Sequence, residues 1–225
     1  MLILFDIDGT LLRCGPQIRP IFGGALREVY GDLEPIGDYE FSGKTDQRII
    51  LDLVGRDGRP EEEIKALFPA MQSIYFERLE NGLDVDQMQL LPGVQMLLDR
   101  YAERDDVTVG LLTGNWQRGA EIKLSRFNLG RYFSFGAFGD DAVHRRALVP
   151  IALERAAQTT GRTFSAARTL IIGDAVADVD CALANGAVSL AVTTGFTTAD
   201  RLKDAGADWI FANLEEAADQ GDVLP

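Results

Sequence analysis

The chain reads as a doubly wound α/β protein on a parallel sheet, with a helical insertion near its start. Short apolar runs recur along it, patterns of helical spacing separate them, and the alternation breaks down in a single stretch. Strands covered on both faces appear as continuous apolar runs, and regular alternation of strand and helix implies a doubly wound sheet. At 225 residues there is room for one large core, or a core carrying one insertion.

The first run is Leu2 to Ile7, a buried strand. Between about Arg13 and Met88 no convincing strand follows, only helical patterns. One covers Ile21, Ala25, Leu26 and Val29; another runs from Thr45 to Val54 and stops at Gly55. A third takes Ile64, Leu67, Phe68, Met71, Ile74 or Tyr75, and Leu79, after Pro60 and three glutamates that favour a helix N-terminus. Pro69 is expected to bend it. Leu91-Pro92-Gly93 marks the return to the core, so the division expected is a core over 1–12 and 89–225 and a helical insert over 13–88. The core resumes with a helix over Val94, Leu97, Leu98 and Tyr101, a strand over Val107 to Leu112, and a helix that includes Ala120, Leu124 and Phe127. Further strands are expected at Ser134 to Phe138, Thr169 to Ile172 and Val188 to Val192, with a helix over Val176, Val179 and Leu183 closing at Gly186. Trp209, in a late apolar stretch, is expected in the core.

Composition narrows the function. With 46% hydrophobic and 25% charged residues the chain is an ordinary globular protein, and its net charge of −13 disfavours nucleic acid and anionic membrane surfaces as partners. No run is long enough to span a membrane. Cys14 and Cys181 lie far apart and are read as packing residues, which suits a reducing compartment, and the cytoplasm is the expected location. His144 is the one histidine, which removes multi-histidine zinc sites; it is read as a loop or surface residue.

Two acidic phrases carry chemistry. Asp6-Ile7-Asp8-Gly9-Thr10 follows the first strand directly, and alternation puts Asp6 and Asp8 on the same side while Gly9 lets the chain turn. Asp174 and Asp178 follow the run Thr169 to Ile172 in Gly173-Asp174-Ala175-Val176-Ala177-Asp178. Carboxylates at the ends of buried strands are costly unless a cation or proton neutralises them. If the two strands are neighbours, three or four carboxylates converge, and hard oxygen ligands of that kind call for Mg²⁺. Leu111-Leu112-Thr113-Gly114-Asn115 adds a hydroxyl and approachable backbone N–H groups at a helix start, a phosphate-binding arrangement. Trp116 follows that loop, where it either packs in the core or lines a pocket.

In this order, DIDGT, LLTGN, a basic residue and then IIGDAVAD, the chain resembles the haloacid dehalogenase-like (HAD) hydrolase superfamily over essentially its whole length. The likeness is greatest to phosphoglycolate-phosphatase-like members, which carry a helical cap after the first motif. The resemblance implies a Rossmann-like core with an inserted α-helical cap. It implies Asp6 as nucleophile, Asp8 as general acid and base, Thr113 as phosphate ligand with Gly114 and Asn115 in the same loop, Asp174 as metal ligand and Asp178 as support for the metal site. Mg²⁺ in such an enzyme also takes the backbone carbonyl of Asp8. The third motif departs from the family, which commonly has Lys there; here the segment is His144-Arg145-Arg146, and Arg145 is assigned the role with Arg146 as the alternative. Ala175 departs too, since many relatives place a hydroxyl after the metal-binding aspartate.

Cap loops of the family read the leaving group, which makes Gly43, Lys44 and Thr45 of Phe41-Ser42-Gly43-Lys44-Thr45-Asp46 the specificity candidates. The expected activity is Mg²⁺-dependent hydrolysis of a small phosphorylated metabolite through an aspartyl-phosphate, with phosphoglycolate among the substrates that share the reacting group. Rival readings are a phosphomutase resembling β-phosphoglucomutase, phosphonate cleavage through Lys44, and a non-catalytic phosphometabolite sensor; having both Asp6 and Asp8 argues against the last. The expected strand order is 134–138, 107–112, 2–7, 169–172, 188–192, which puts a switch point between the strands of Asp6 and Asp174, where open α/β sheets bind ligands. The oligomeric state is not legible.

Overall fold

Strand β1 (Leu2–Phe5) is buried at every position, as its unbroken apolar run requires. The structure, a computed structural model, describes residues 1–34 and 36–220; residues 221–225, assigned above to the core, lie outside it. After β1 come β2 (Leu12–Arg13), helices α1 (Ile18–Tyr30), α2 (Asp46–Val54), α3 (Glu61–Ala66) and α4 (Phe68–Gly82), and β3 (Gln89–Leu90). Then follow α5 (Val94–Ala102), β4 (Thr108–Leu112), α6 (Gln117–Ser125), β5 (Gly136–Ala137), α7 (Leu148–Thr160), β6 (Thr169–Gly173), α8 (Val176–Asn185), β7 (Val188–Val192), α9 (Ala199–Asp204), β8 (Trp209–Phe211) and α10 (Leu214–Asp219).

The main sheet has the order β5-β4-β1-β6-β7-β8 with every pair parallel. The expected five-strand order holds, and β8 adds a sixth strand at the edge. This corrects the reading of Trp209: it opens β8 and is 44% exposed, because an edge strand has a neighbour on one side only. Both faces of β1 are covered. Leu2 and Leu4 pack with Leu148, Val149 and Ala152 of α7, while Ile3 and Phe5 join Leu97 and Leu98 of α5 in the other core. Each such fully buried side chain contributes about 1.5–3 kcal/mol.

At the two borders of the stretch where helices were expected, β2 and β3 form a two-residue antiparallel ribbon, Leu12 opposite Leu90 and Arg13 opposite Gln89. It stands where the chain leaves the first strand and where it returns. Pro69 does more than bend a helix: α3 stops at Ala66, and α4 begins at Phe68 with the proline in its first turn. There its missing N–H breaks no intrahelical bond. Both cysteines are buried and free, their thiols pushed up to about 12 chiefly by burial, so neither is poised to react. Among the described residues no helix is long and apolar enough to cross a membrane.

Candidate active site

Register brings the acids together. Phe5 lies opposite both Leu111 of β4 and Ile172 of β6, so Asp6, Thr113 and Asp174 all emerge at the carboxyl ends of three adjacent strands. One carboxylate oxygen from each of Asp6, Asp174 and Asp178 lies within 4.8 Å of the others, and all three residues are buried. Asp174 also accepts a hydrogen bond from the Thr10 hydroxyl at 3.3 Å. The backbone leaves this carboxylate almost no spare room. Gly9 sits at φ +88°, and a Cβ there would lie 2.6 Å from the Asp174 carboxylate; one on Gly195 would lie 1.6 Å from its Oδ2.

Arg145 enters the cluster from the short turn before α7. Its Nη2 is 2.7 Å from Asp6 Oδ1, 2.7 Å from Asp178 Oδ1 and 3.1 Å from the Leu112 carbonyl oxygen. Arg146, the alternative, is exposed and paired with Asp180. His144 is exposed as well. Asp178 accepts the Ala175 N–H on Oδ2 at 3.0 Å, while its buried Oδ1 has Arg145 close by but no well-formed hydrogen bond. Burial, followed by the charges of Asp6 and Asp178, pushes the Asp174 carboxyl well above the ordinary range. Burial raises Asp178 too, against the pull of Arg145. Three carboxylates against one guanidinium leave two negative charges over in a buried place. A hard divalent cation matches both that charge and the oxygen donors, so the residues present fit Mg²⁺.

Asp8 stands apart from this cluster. Its Oδ2 accepts from Asn115 Nδ2 at 2.8 Å and from Lys123 Nζ at 2.7 Å, and Lys123 also donates to Asn115 Oδ1 at 2.6 Å. Asn115 Nδ2 reaches Thr113 Oγ1 at 2.7 Å, which ties the fully buried Thr113 to the same set. Burial alone would lower Lys123, but the Asp8 carboxylate and its neighbours hold it well above its ordinary value. Among the described residues, Lys123 and Arg145 are the two buried basic side chains, and each rests on one aspartate of the first motif.

The loop before α2 sits directly on the Thr113 loop. Gly114 is so close that a Cβ on it would lie 2.0 Å from the Lys44 carbonyl oxygen, and its own carbonyl accepts the Asp46 N–H at 2.8 Å. Gly43 meets the other acidic phrase, with an added Cβ 2.5 Å from Ala177 Cβ. Thr45 caps α2 by accepting the Arg48 N–H and donates to the Val143 carbonyl at 2.7 Å. The Lys44 ammonium pairs with Asp52 at 3.4 Å and lies 3.9 Å from the centre of the Tyr39 ring. Trp116 is fully buried, its ring against Phe68, Tyr75 and Phe76 at centroid distances of 6.0–6.2 Å.

Asp46, which follows Thr45, accepts the Trp116 N–H at 2.8 Å, and burial pushes its carboxyl up to about 7. An unfolded aspartate gives up its proton near pH ~4. Between these values the folded chain holds the extra proton, so stability from this group is full below about pH 4 and is lost as pH rises through about 7. Asp46→Asn keeps an acceptor for Trp116 and removes the charge. It is expected to raise the melting temperature relative to the parent at pH 8 and not at pH 4; parallel pH profiles for the two proteins would contradict this.

Lys123, Thr10 and Asp46 were not singled out in the sequence. For Lys123 a signal exists: it lies three residues after Ala120 and one before Leu124, a lysine within the apolar stripe of α6, where it is buried beside both. For Thr10 and Asp46, a hydroxyl in a turn and an acid in a first helical turn look the same whether or not they face a site.

Residues 3–192 match the family model described as haloacid dehalogenase-like hydrolase. The chain is 28% identical over 210 residues to a phosphoglycolate phosphatase of Synechococcus elongatus, covering 92% of this chain and 91% of the relative. It is 26% identical to phosphoglycolate phosphatase 1 of Pseudomonas aeruginosa, covering 100% and 82%. Its fold is similar to that of a hydrolase from Pseudomonas syringae, with a TM-score of 0.73, 21% identity and 100% of both chains covered. With the motif residues gathered at the carboxyl ends of β1, β4 and β6, and a family match over most of its length, the chain belongs to the haloacid dehalogenase-like hydrolases.

Proposed function

We propose that the chain is a Mg²⁺-dependent phosphatase acting on a small phosphorylated metabolite, with Asp6 as nucleophile and Asp8 as general acid and base. Phosphoglycolate, named in the relatives, is the first substrate to test. The observation that carries this reading is the separation of the two first-motif aspartates. Asp6 belongs to the charged cluster with Arg145, Asp174 and Asp178, whereas Asp8 turns away to Asn115 and Lys123. Two carboxylates in different surroundings suit different roles.

An oxygen of Asp6 attacks phosphorus, the bond from phosphorus to the leaving oxygen breaks, and Asp8 gives that oxygen its proton. Water then attacks the aspartyl-phosphate, Asp8 takes a proton from it, and the bond between phosphorus and Asp6 breaks to release inorganic phosphate. Arg145, the Thr113 hydroxyl and the N–H groups of Gly114 and Asn115 are assigned to the equatorial oxygens of the transferring group. Asp6 and Asp174 would hold Mg²⁺ together with the Asp8 carbonyl, Asp178 supporting them; when bound, the ion supplies Lewis-acid stabilisation of phosphoryl charge. We read residues 13–88 as a cap over the core, its Gly43-Lys44-Thr45 loop facing the leaving group and helping to exclude water.

The test is a panel of phosphorylated metabolites, including phosphoglycolate, scored by kcat/KM with saturating Mg²⁺. One or a few good substrates are expected, with activity falling by at least about 10²-fold after exhaustive chelation and returning with added Mg²⁺. Full activity after chelation would remove the metal from the reading, and no hydrolysis across the panel would remove the phosphatase.

A further inference from the structure

The two oxygens of the Asp8 carboxylate are not equivalent. Oδ2 accepts both Asn115 Nδ2 and Lys123 Nζ, at 2.8 and 2.7 Å, whereas among the described residues the one side-chain donor to Oδ1 is the weakly donating Cys14 thiol at 3.8 Å. Lys123 is 3% exposed, in a chain whose other basic side chains, Arg145 aside, are not buried. Its second bond, to Asn115 Oδ1 at 2.6 Å, turns the Asn115 amide so that Nδ2 faces Asp8 Oδ2 and Thr113 Oγ1. Lysine, asparagine and aspartate therefore close a triangle that leaves the Asp8 side chain one orientation. A buried ammonium forfeits its hydration and is tolerated only where an anion meets it. An apolar side chain of the same length would fill the space in α6 without that cost, so packing does not explain the charge.

We propose that Lys123 is the positioning residue for Asp8: with Asn115 it pins Oδ2, so that Oδ1 is the atom that passes the proton to the leaving oxygen and later takes one from water. The proposal rests on the assignment of Asp6 and Asp8 made above. Lys123 itself neither gains nor loses a proton in either half-reaction. The nucleophile does not need it, because Arg145 already stands 2.7 Å from Asp6 Oδ1. The two buried cations thus divide the two aspartates, one bracing the attacking group and the other aiming the acid.

The experiment measures kcat/KM, which reports the steps up to loss of the leaving group, on phosphate monoesters graded from nitrophenyl to simple alkyl. Parent, Asp8→Asn, Lys123→Met and the double variant are compared with Mg²⁺ saturating, and melting temperatures confirm folding. An alkyl leaving group needs a proton and a nitrophenyl group hardly does. Lys123→Met is therefore expected to lose about 10²-fold on alkyl esters, the low end of what a general acid contributes. It should lose under about threefold on the nitrophenyl ester and nothing further in the Asp8→Asn background, since groups acting as one unit are not additive. An equal loss on all esters, no loss, or an additive loss in the double variant would overturn the proposal. If Lys123→Met does not fold, Lys123→Gln is carried through the same series with the same outcomes decisive. Should Asp8→Asn itself show the parent's leaving-group dependence, it is the acid–base assignment that fails; if Asp8→Asn steepens that dependence and the Lys123 variant does not, only the positioning role fails.

Discussion

Asp6→Asn is expected to reduce turnover by on the order of 10⁶-fold, the scale seen when a nucleophile that works as part of a unit is removed. The amide has nearly the shape of the carboxylate and can still accept from Arg145, so the fold should survive while the attacking oxygen loses its charge. Phosphoenzyme trapped from labelled substrate by rapid acid quench should be present in the parent and absent in the variant. Turnover near the parental rate, or an equal amount of acid-stable label, would end the assignment of Asp6. Stability is expected to rise slightly, because one of three crowded carboxylates becomes neutral.

The second large effect belongs to Arg145. Arg145→Met removes the guanidinium that faces both Asp6 and Asp178, and with it the donor proposed for the transferring group. With Arg145 in the proposed role, a loss of about 10²–10³-fold in kcat/KM is expected, the scale of one preorganised transition-state donor. Breaking a buried pair while leaving its partners in place costs about 3–5 kcal/mol, so the midpoint of urea unfolding in chelator should fall as well. Arg145→Lys retains the charge but loses the planar fork, and should fall between the two. Arg146→Ala should leave kcat/KM unchanged, because that side chain pairs with Asp180 at the surface. Loss of activity in the Arg146 variant with none in the Arg145 variant would reverse the assignment of the third motif.

Much of the frame was legible because it is written locally. A strand covered on both faces must be apolar throughout, so β1, β4, β6 and β7 announce themselves, and a helix that stops at a left-handed glycine, as α8 does at Gly186, is marked by that glycine. The acidic phrases were legible for the same reason: each directly follows a strand, and the strand end is where a parallel sheet presents its ligands. Local reading failed where an element's state depends on what lies beside it. Nothing in the apolar run around Trp209 says that its strand is the last in the sheet, with one flank bare.

The sequence alone marked the core strands and the acidic phrases that follow two of them, through period, spacing and the cost of unpaired charge, while the roles proposed for Asp6, Asp8, Thr113, Arg145 and Asp174 rest on the resemblance those motifs carry. Only the tertiary structure decided which arginine turns inward, since adjacent residues in a short helical turn point to different sides and the burial of one follows from the approach of β4 and α8. It alone parted Asp8 from the acid cluster that alternation had assigned to the same side, because the chain turns at Gly9 before strand geometry can hold. The pairing of Lys123 with Asp8 spans 115 positions along the chain. A buried cation stands in an apolar stripe only when a distant anion meets it there, and no local pattern records where that anion lies.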